Sequence, residues 1–192
     1  MTPTYARHAA AVAVTVLLAA ASAGSQAANL LTNGDFEAGD LSGWSATGPL
    51  DFVGVDPFAA HGGSFGAFFG PETPVTLTQS LATAAGGTYE VSFWLSLQDS
   101  AQPNDFSWTW NGVTQAVGFT DAAGFAYQQF SATVGSAGAS STLSFSFTNP
   151  QSFWLMDDVS VSPVPEPGIA WMMGTGALCL GLLRRRRGSS PT

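Results

Sequence analysis

From Thr88 to Leu97 the chain alternates without a break, with Tyr89, Val91, Phe93, Leu95 and Leu97 at one parity and Glu90, Ser92, Trp94 and Ser96 at the other. Successive side chains of a β-strand point to opposite faces, so this run is a strand with one face in a core. The pattern recurs from Ser141 to Thr148, where Leu143, Phe145 and Phe147 alternate with polar residues. Leu155, Asp157, Val159 and Val161 form a third row. By that alternation Asp157 shares the inward face with Leu155, Val159 and Val161, and Asp158 points outward. Further strands are expected at Val75–Leu81, Gln115–Phe119 and Tyr127–Val134, separated by Gly86-Gly87, Gly124 and Gly135–Gly138. Trp108 and Trp110 lead into Asn111-Gly112, a pair suited to a two-residue hairpin turn, with Val113 starting the return. No amphipathic helical period and no repeat of 20–50 residues interrupts this stretch. Many short strands broken by turns predict an all-β sandwich.

The two ends read differently. Arg7 and His8 precede an apolar run from Ala9 to Ala21, followed by small residues up to Ala28. That order describes a secretory signal peptide over 1–27, with Ser25-Gln26-Ala27 as the cleavage pattern and Ala28 as the first mature residue. At the other end, Val164-Pro165-Glu166-Pro167 is a rigid extended stop, because each proline fixes its own backbone and steers the residue before it away from helix. Residues 168–183 are 16 uncharged, largely apolar positions, read as a single transmembrane helix a little under the usual span of about 17–25. Arg184 to Arg187 open a basic tail over 184–192, which holds that end in the cytoplasm and places the β domain across the membrane.

Pro-Glu-Pro, a short apolar helix and a closing arginine cluster together resemble the PEP-CTERM sorting tail of Gram-negative bacteria. The resemblance implies recognition by an exosortase-type processing enzyme, with Pro165, Glu166, Pro167, Arg184, Arg185, Arg186 and Arg187 as the sorting residues. It implies release to the cell surface or extracellular matrix; an unprocessed membrane anchor is the alternative.

Between these ends lies 28–162, with 163–167 as the sorting motif. All five basic residues are Arg7 and Arg184–Arg187, so this domain has neither lysine nor arginine. Of the thirteen acidic residues only Glu166 lies outside it, leaving twelve carboxylates and a charge of about −12. None can pair with a Lys or Arg of the domain. Nucleic acid is disfavoured as a partner, because phosphate contacts come mostly from basic side chains. A neutral or cationic partner fits better, which admits uncharged polysaccharide and divalent metal. The one cysteine, Cys179, lies in the apolar tail, so the domain has no disulfide and no thiolate metal site, and His61 is its lone histidine.

An inward Asp157 without a basic partner is costly, so either a cation or backbone amides must compensate it. Asn29-Leu30-Leu31-Thr32-Asn33-Gly34-Asp35-Phe36-Glu37 with Gly43-Trp44 resembles the opening of jelly-roll carbohydrate-binding modules of the galactose-binding-like group. Ala60-His61-Gly62-Gly63-Ser64, Thr78–Leu81, Gly87–Trp94 and the closing Met156-Asp157-Asp158-Val159-Ser160-Val161 are similar too. The resemblance implies a jelly roll, with a structural calcium joining the N-terminal segment to the last strand. By position its ligands are Glu37 and Asp157, with backbone carbonyls near Asn33 completing a hard-oxygen shell.

Sugar rings stack on exposed aromatic faces, for which Trp94, Trp108, Trp110 and Trp154 are the candidates; the same rings can equally fill core. Trp108 and Trp110, two residues apart, would share a platform. Trp94, at the polar parity of its strand, faces outward or lies under a covering loop, and Trp44 is expected in the core. No pattern selects a catalytic carboxylate pair, and His61 sits in a glycine-rich loop where a turn role is expected. The reading is a non-catalytic exported protein whose domain associates with extracellular polysaccharide. Its rival is a structural surface protein assembling through protein contacts. For the tail, Glu166→Ala is expected to change surface release and the mature mass; unchanged values of both would argue against exosortase recognition.

Overall fold

The alternating runs pair into two antiparallel sheets whose apolar parities face each other. The computed structural model describes residues 28–164; the signal peptide, the Pro165-Glu166-Pro167 motif, the expected membrane helix and the Arg184–Arg187 tail lie outside the described residues. The strands are β1 (Ser45–Thr47), β2 (Val53–Asp56), β3 (Gly66–Phe69), β4 (Val75–Ala82), β5 (Thr88–Leu97) and β6 (Asp105–Trp110). They continue as β7 (Val113–Thr114), β8 (Phe119–Thr120), β9 (Phe125–Gly135), β10 (Ser140–Thr148) and β11 (Trp154–Pro163). One sheet runs β1-β4-β10-β6-β7, with β8 also on β6; the other runs β2-β3-β11-β5-β9. Successive long strands cross between the sheets, so the all-β sandwich has the connectivity expected of a jelly roll.

Asn111 and Gly112 both adopt left-handed backbone, with φ of 52° and 76°, and close the β6–β7 hairpin as their sequence requires. The expected strand Gln115–Phe119 does not form as one piece. Val113–Thr114 and Phe119–Thr120 dock at opposite ends of the same β6 edge, and the residues between them loop away.

Rings from both sheets interleave in the core. Phe69 and Phe147 stack face to face at 3.8 Å, and Phe93 meets Phe106, Trp108 and Phe145 at 5.7, 5.8 and 5.2 Å. Each such side chain removed from water contributes about 1.5–3 kcal/mol, which makes this interior the main source of stability. Residues 28–164 thus hold both sheets and a continuous core, enough for one folding unit.

The outward parity of the β1-β4-β10-β6-β7 sheet is hydroxyl. Ser45, Thr78, Ser144, Thr109 and Thr114 stand opposite one another across five strands. Thr47, Thr76, Ser146 and Ser107 form the next row. Asp105, opposite Thr148 and Thr120, is the carboxylate of the row at one margin.

The third alternating row departs from the expectation. The register between β11 and β5 shifts between Asp157 and Ser160, and Asp158 takes up the extra residue with a left-handed φ of 48°. Before the shift, Trp154 and Met156 face the core; after it, Val159 and Val161 do. Leu155 and Asp157 therefore lie on the outer side of the sheet, opposite Ser96 and Trp94, and not on the inward face.

The N-terminal segment ties the two sheets together. Leu30 N donates to Val161 O and Val159 N donates to Gly34 O, both at 2.8 Å. Gln79 of β4, nearly buried, accepts from Thr32 N through Oε1 (2.7 Å) and donates to Thr32 O through Nε2 (3.0 Å). A Cβ at Gly34 would lie 2.2 Å from Val159 O, so only glycine lets the segment approach β11 this closely. Gly34→Ala is accordingly expected to cost about 1–3 kcal/mol by overpacking against backbone, read as a lower thermal midpoint. A midpoint equal to wild type would refute this role for the contact.

Candidate functional site

The shift in β11 sends Asp157 out beneath a covering loop. Asp56 starts that loop: its side chain accepts from Phe58 N (3.0 Å) and caps the 3-10 turn Pro57–Ala59, with Pro57 fixing the first position. The chain then returns over the outer side of the β2-β3-β11-β5-β9 sheet. There Asp157 Oδ2 accepts from His61 N at 2.8 Å and Gly62 N at 3.0 Å, and its Oδ1 accepts from Asp158 N at 2.7 Å. Asp157 is fully buried under this cover. From the opposite side Glu37 Oε1 accepts from Ser64 N (2.7 Å) and Phe65 N (2.9 Å). Two carboxylates from opposite ends of the domain thus clasp one five-residue loop by its amides. Gly63, with φ of 60°, passes so near that a Cβ would fall 2.2 Å from Glu37 Oε1.

His61 closes the corner. Its ring stacks on Trp94 at 3.8 Å and 18°, its Nδ1 lies 2.8 Å from Asp158 Oδ2, and Tyr127 meets it edge-on at 5.1 Å. The Tyr127 hydroxyl donates to Ala59 O. Burial, reinforced by Asp157 and Asp158, pushes that hydroxyl up from its ordinary range, so it stays a donor. Burial also raises the Asp157 carboxyl above its ordinary value, against the pull of the three amides and with a smaller push from Asp158.

Of the residues expected at a metal, Glu37 and Asp157 bind the same loop at different amides. Asn33, near which backbone carbonyls are expected to complete the shell, donates through its Nδ2 to the carbonyls of Asp40 (2.9 Å) and Ser42 (3.0 Å), and accepts at its Oδ1 from Ala38 N (3.1 Å). Its own carbonyl accepts from Trp44 Nε1 at 3.0 Å, with Trp44 in the core as expected. Among the described residues no three His, Cys, Asp or Glu side chains gather as a metal shell. In donor type Glu37 and Asp157 suit a hard cation, both being carboxylates in a domain with no Lys or Arg to offset them.

The tryptophan platform is not there. Trp108 and Trp110 share the inward parity of β6 with Phe106 and are buried, while Asp105, Ser107 and Thr109 take the outer side. Trp108 packs on Phe93 and Phe145, and Trp110 Nε1 donates to Gly135 O at 2.8 Å. Sheathing two indoles in the core removes more apolar surface from water than any exposed arrangement. Trp154 is buried as well. Trp94 alone keeps partial exposure, under the covering loop. Exposed apolar residues occur elsewhere, at Leu50, Phe52 and Phe58, which lie outside every alternating run and left no periodic trace.

No family model matches the chain, and no curated protein matches it. Among solved structures, TmCBM61 in complex with β-1,4-galactotriose superposes with a TM-score of 0.57 at 19% identity, over 71% of this chain and 99% of that one. The CBM22-1 xylan-binding domain from Paenibacillus barcinonensis Xyn10C gives 0.52 at 21% identity, over 73% and 97%. A family 16 carbohydrate-binding module gives 0.52 at 18% identity, over 69% and 99%. At these identities the likeness establishes a shared fold.

Asp157→Asn keeps the side-chain volume but leaves one carboxylate oxygen's amide partners without an acceptor. It is expected to cost about 1–3 kcal/mol and to speed proteinase K cleavage within 61–65. Because the folded-state pKa of Asp157 is raised, its stabilising share is full below the ordinary carboxylate value and is lost as pH rises through the raised one. The melting advantage of wild type over Asp157→Asn should therefore grow as pH falls from 7 toward the carboxylate range; an advantage that shrinks would mean that the amides outweigh burial.

Proposed function

We propose that this chain is an exported, exosortase-sorted surface or matrix protein whose sandwich is a non-catalytic domain associating with uncharged extracellular polysaccharide. The observation that carries the reading is a fold shared with carbohydrate-binding modules, built here with no basic side chain to attract an anionic partner. The non-catalytic part is supported by the state of His61, whose Nδ1 is engaged by Asp158 and whose ring is stacked on Trp94. With Trp108 and Trp110 in the core, Trp94 remains in this proposal as a ring at the margin of the sugar-binding surface. Export and sorting rest on the two ends of the sequence.

Calcium enters as a separate proposal. Glu37 and Asp157 would hold it, with Asp158 nearby. Its chemistry would be charge neutralisation at a corner where three carboxylates face one loop.

The test is retention of purified 28–164 on neutral glucan, galactan and xylan, with a polyuronate as control, in calcium and in chelator. Saturable retention on a neutral glycan with weaker retention on the polyuronate is expected. Folded protein retained by none of them would favour a structural protein that assembles through protein contacts. A thermal midpoint that rises with calcium and falls with chelator supports the cation; one indifferent to both, in protein shown to be metal-free, removes it.

A further inference from the structure

Leu50, Phe52 and Phe58 are 50, 65 and 51% exposed, the three most exposed large apolar residues near β2. Phe58 belongs to a cluster of rings. Phe58 meets Phe68 at 5.2 Å and Phe153 at 6.1 Å, and Phe68 stands edge to face with Phe153 at 5.6 Å. Phe52 flanks the same Gly70 that Phe153 covers: Gly70 N donates to Phe52 O at 2.8 Å, and a Cβ on Gly70 would fall 2.6 Å from the Phe153 ring. Phe58, Phe68 and Phe153 form an apolar cluster along the β2 edge, to which Phe52 is tied through its backbone at Gly70; an exposed apolar surface of this kind marks a binding site.

The backbone at Phe52 and Phe58 is fixed. Phe52 has a φ of 60°, a left-handed conformation that a bulky side chain adopts only under constraint. The turn from Val53 N to Leu50 O (3.2 Å) and the bond from Gly70 hold it there. Phe58 is set by the Asp56 cap and Pro57. Strain of this kind persists where surrounding structure over-determines it, and a backbone already fixed loses little freedom on binding. Beside Phe52 lies a cleft of about 340 Å³ lined by Pro49, Asp51, Glu72 and Thr73.

We propose that this edge is the surface on which the domain holds polysaccharide: Phe52 and Phe58 receive the apolar faces of neutral sugar rings, and Asp51 and Glu72 accept hydrogen bonds from their hydroxyls. The assignment rests on the glycan-binding reading above. Charge selects the occupant. Carboxylates beside the rings repel an anionic chain or an anionic lipid surface. A two-fold pairing of this edge with itself would gather the carboxylates of both copies in one interface with no Lys or Arg of the domain to answer them. A neutral polyhydroxyl chain meets no such penalty and offers hydroxyl donors to those oxygens.

Phe52→Asn and Phe58→Ser test it in 28–164, with affinity for whichever neutral glycan the wild type retains as the readout. Asparagine tolerates left-handed backbone, so Phe52→Asn should fold with an unchanged or higher thermal midpoint while binding falls at least tenfold; Phe58→Ser should fall similarly. Asp51→Asn and Glu72→Gln should each weaken binding about threefold. If the wild type binds a glycan and Phe52→Asn binds it equally well, the edge is not the site although the glycan-binding reading stands. If folded wild type binds none of the panel, both fall together. A wild-type dimer dispersed by Phe52→Asn without loss of glycan binding would overturn the assignment in favour of self-association.

Discussion

β11 must satisfy two apolar patterns that do not share a phase. Trp154 and Met156 set one parity for its first half, and Val159 and Val161 set the other for its second. A strand of perfect alternation would have to expel one pair from the core or drag Asp158 and Ser160 into it. The extra residue resolves the conflict by letting Asp158 turn left-handed and re-phasing the second half of the strand. Much of the molecule depends on that step. It brings Val159 to where its amide reaches Gly34, so the N-terminal segment can tie both sheets. It also leaves Asp157 outside the aromatic interior and under the loop that it grips.

The second constraint is the lack of any lysine or arginine in the domain. Carboxylates that elsewhere would be answered by such cations are answered here by backbone N–H groups. The loop's glycines have their own parts in this: Gly62 supplies one of the amides, and Gly63 passes where a Cβ would meet Glu37 Oε1. The two acids that matter most, Glu37 and Asp157, come from the two ends of the domain, and holding one loop from both sides makes its closure depend on the whole fold.

How much of this was legible in the sequence varied with the physics behind each signal. β5 and β10 were readable because strict alternation has one structural solution when one face is buried, and the Asn111-Gly112 hairpin because those residues tolerate left-handed backbone. The inward assignment of Asp157 failed because Leu155 sits in the minor phase of its own strand; volume at Trp154 and Met156 outweighs it, and alternation alone carries no volume. Trp108 and Trp110 were ambiguous for a related reason: spacing shows that two rings share a face but not which face. β1 to β3 are too short to alternate visibly. Phe52 and Phe58 belong to turns, where position is set by caps and by strain and no period exists to betray them.

The hydroxyl rows across β1, β4, β10, β6 and β7 give one sheet an outer face that meets water almost entirely through uncharged groups. Carboxylates hold water through a field that dissolved ions weaken over about 10 Å at 0.1 M. Serine and threonine hold it through short-range hydrogen bonds that ions at such concentrations scarcely touch. As ionic strength falls and rises, the field of the domain's carboxylates gains and loses its reach. The hydroxyl side, with Asp105 at its margin, keeps the same wet surface throughout.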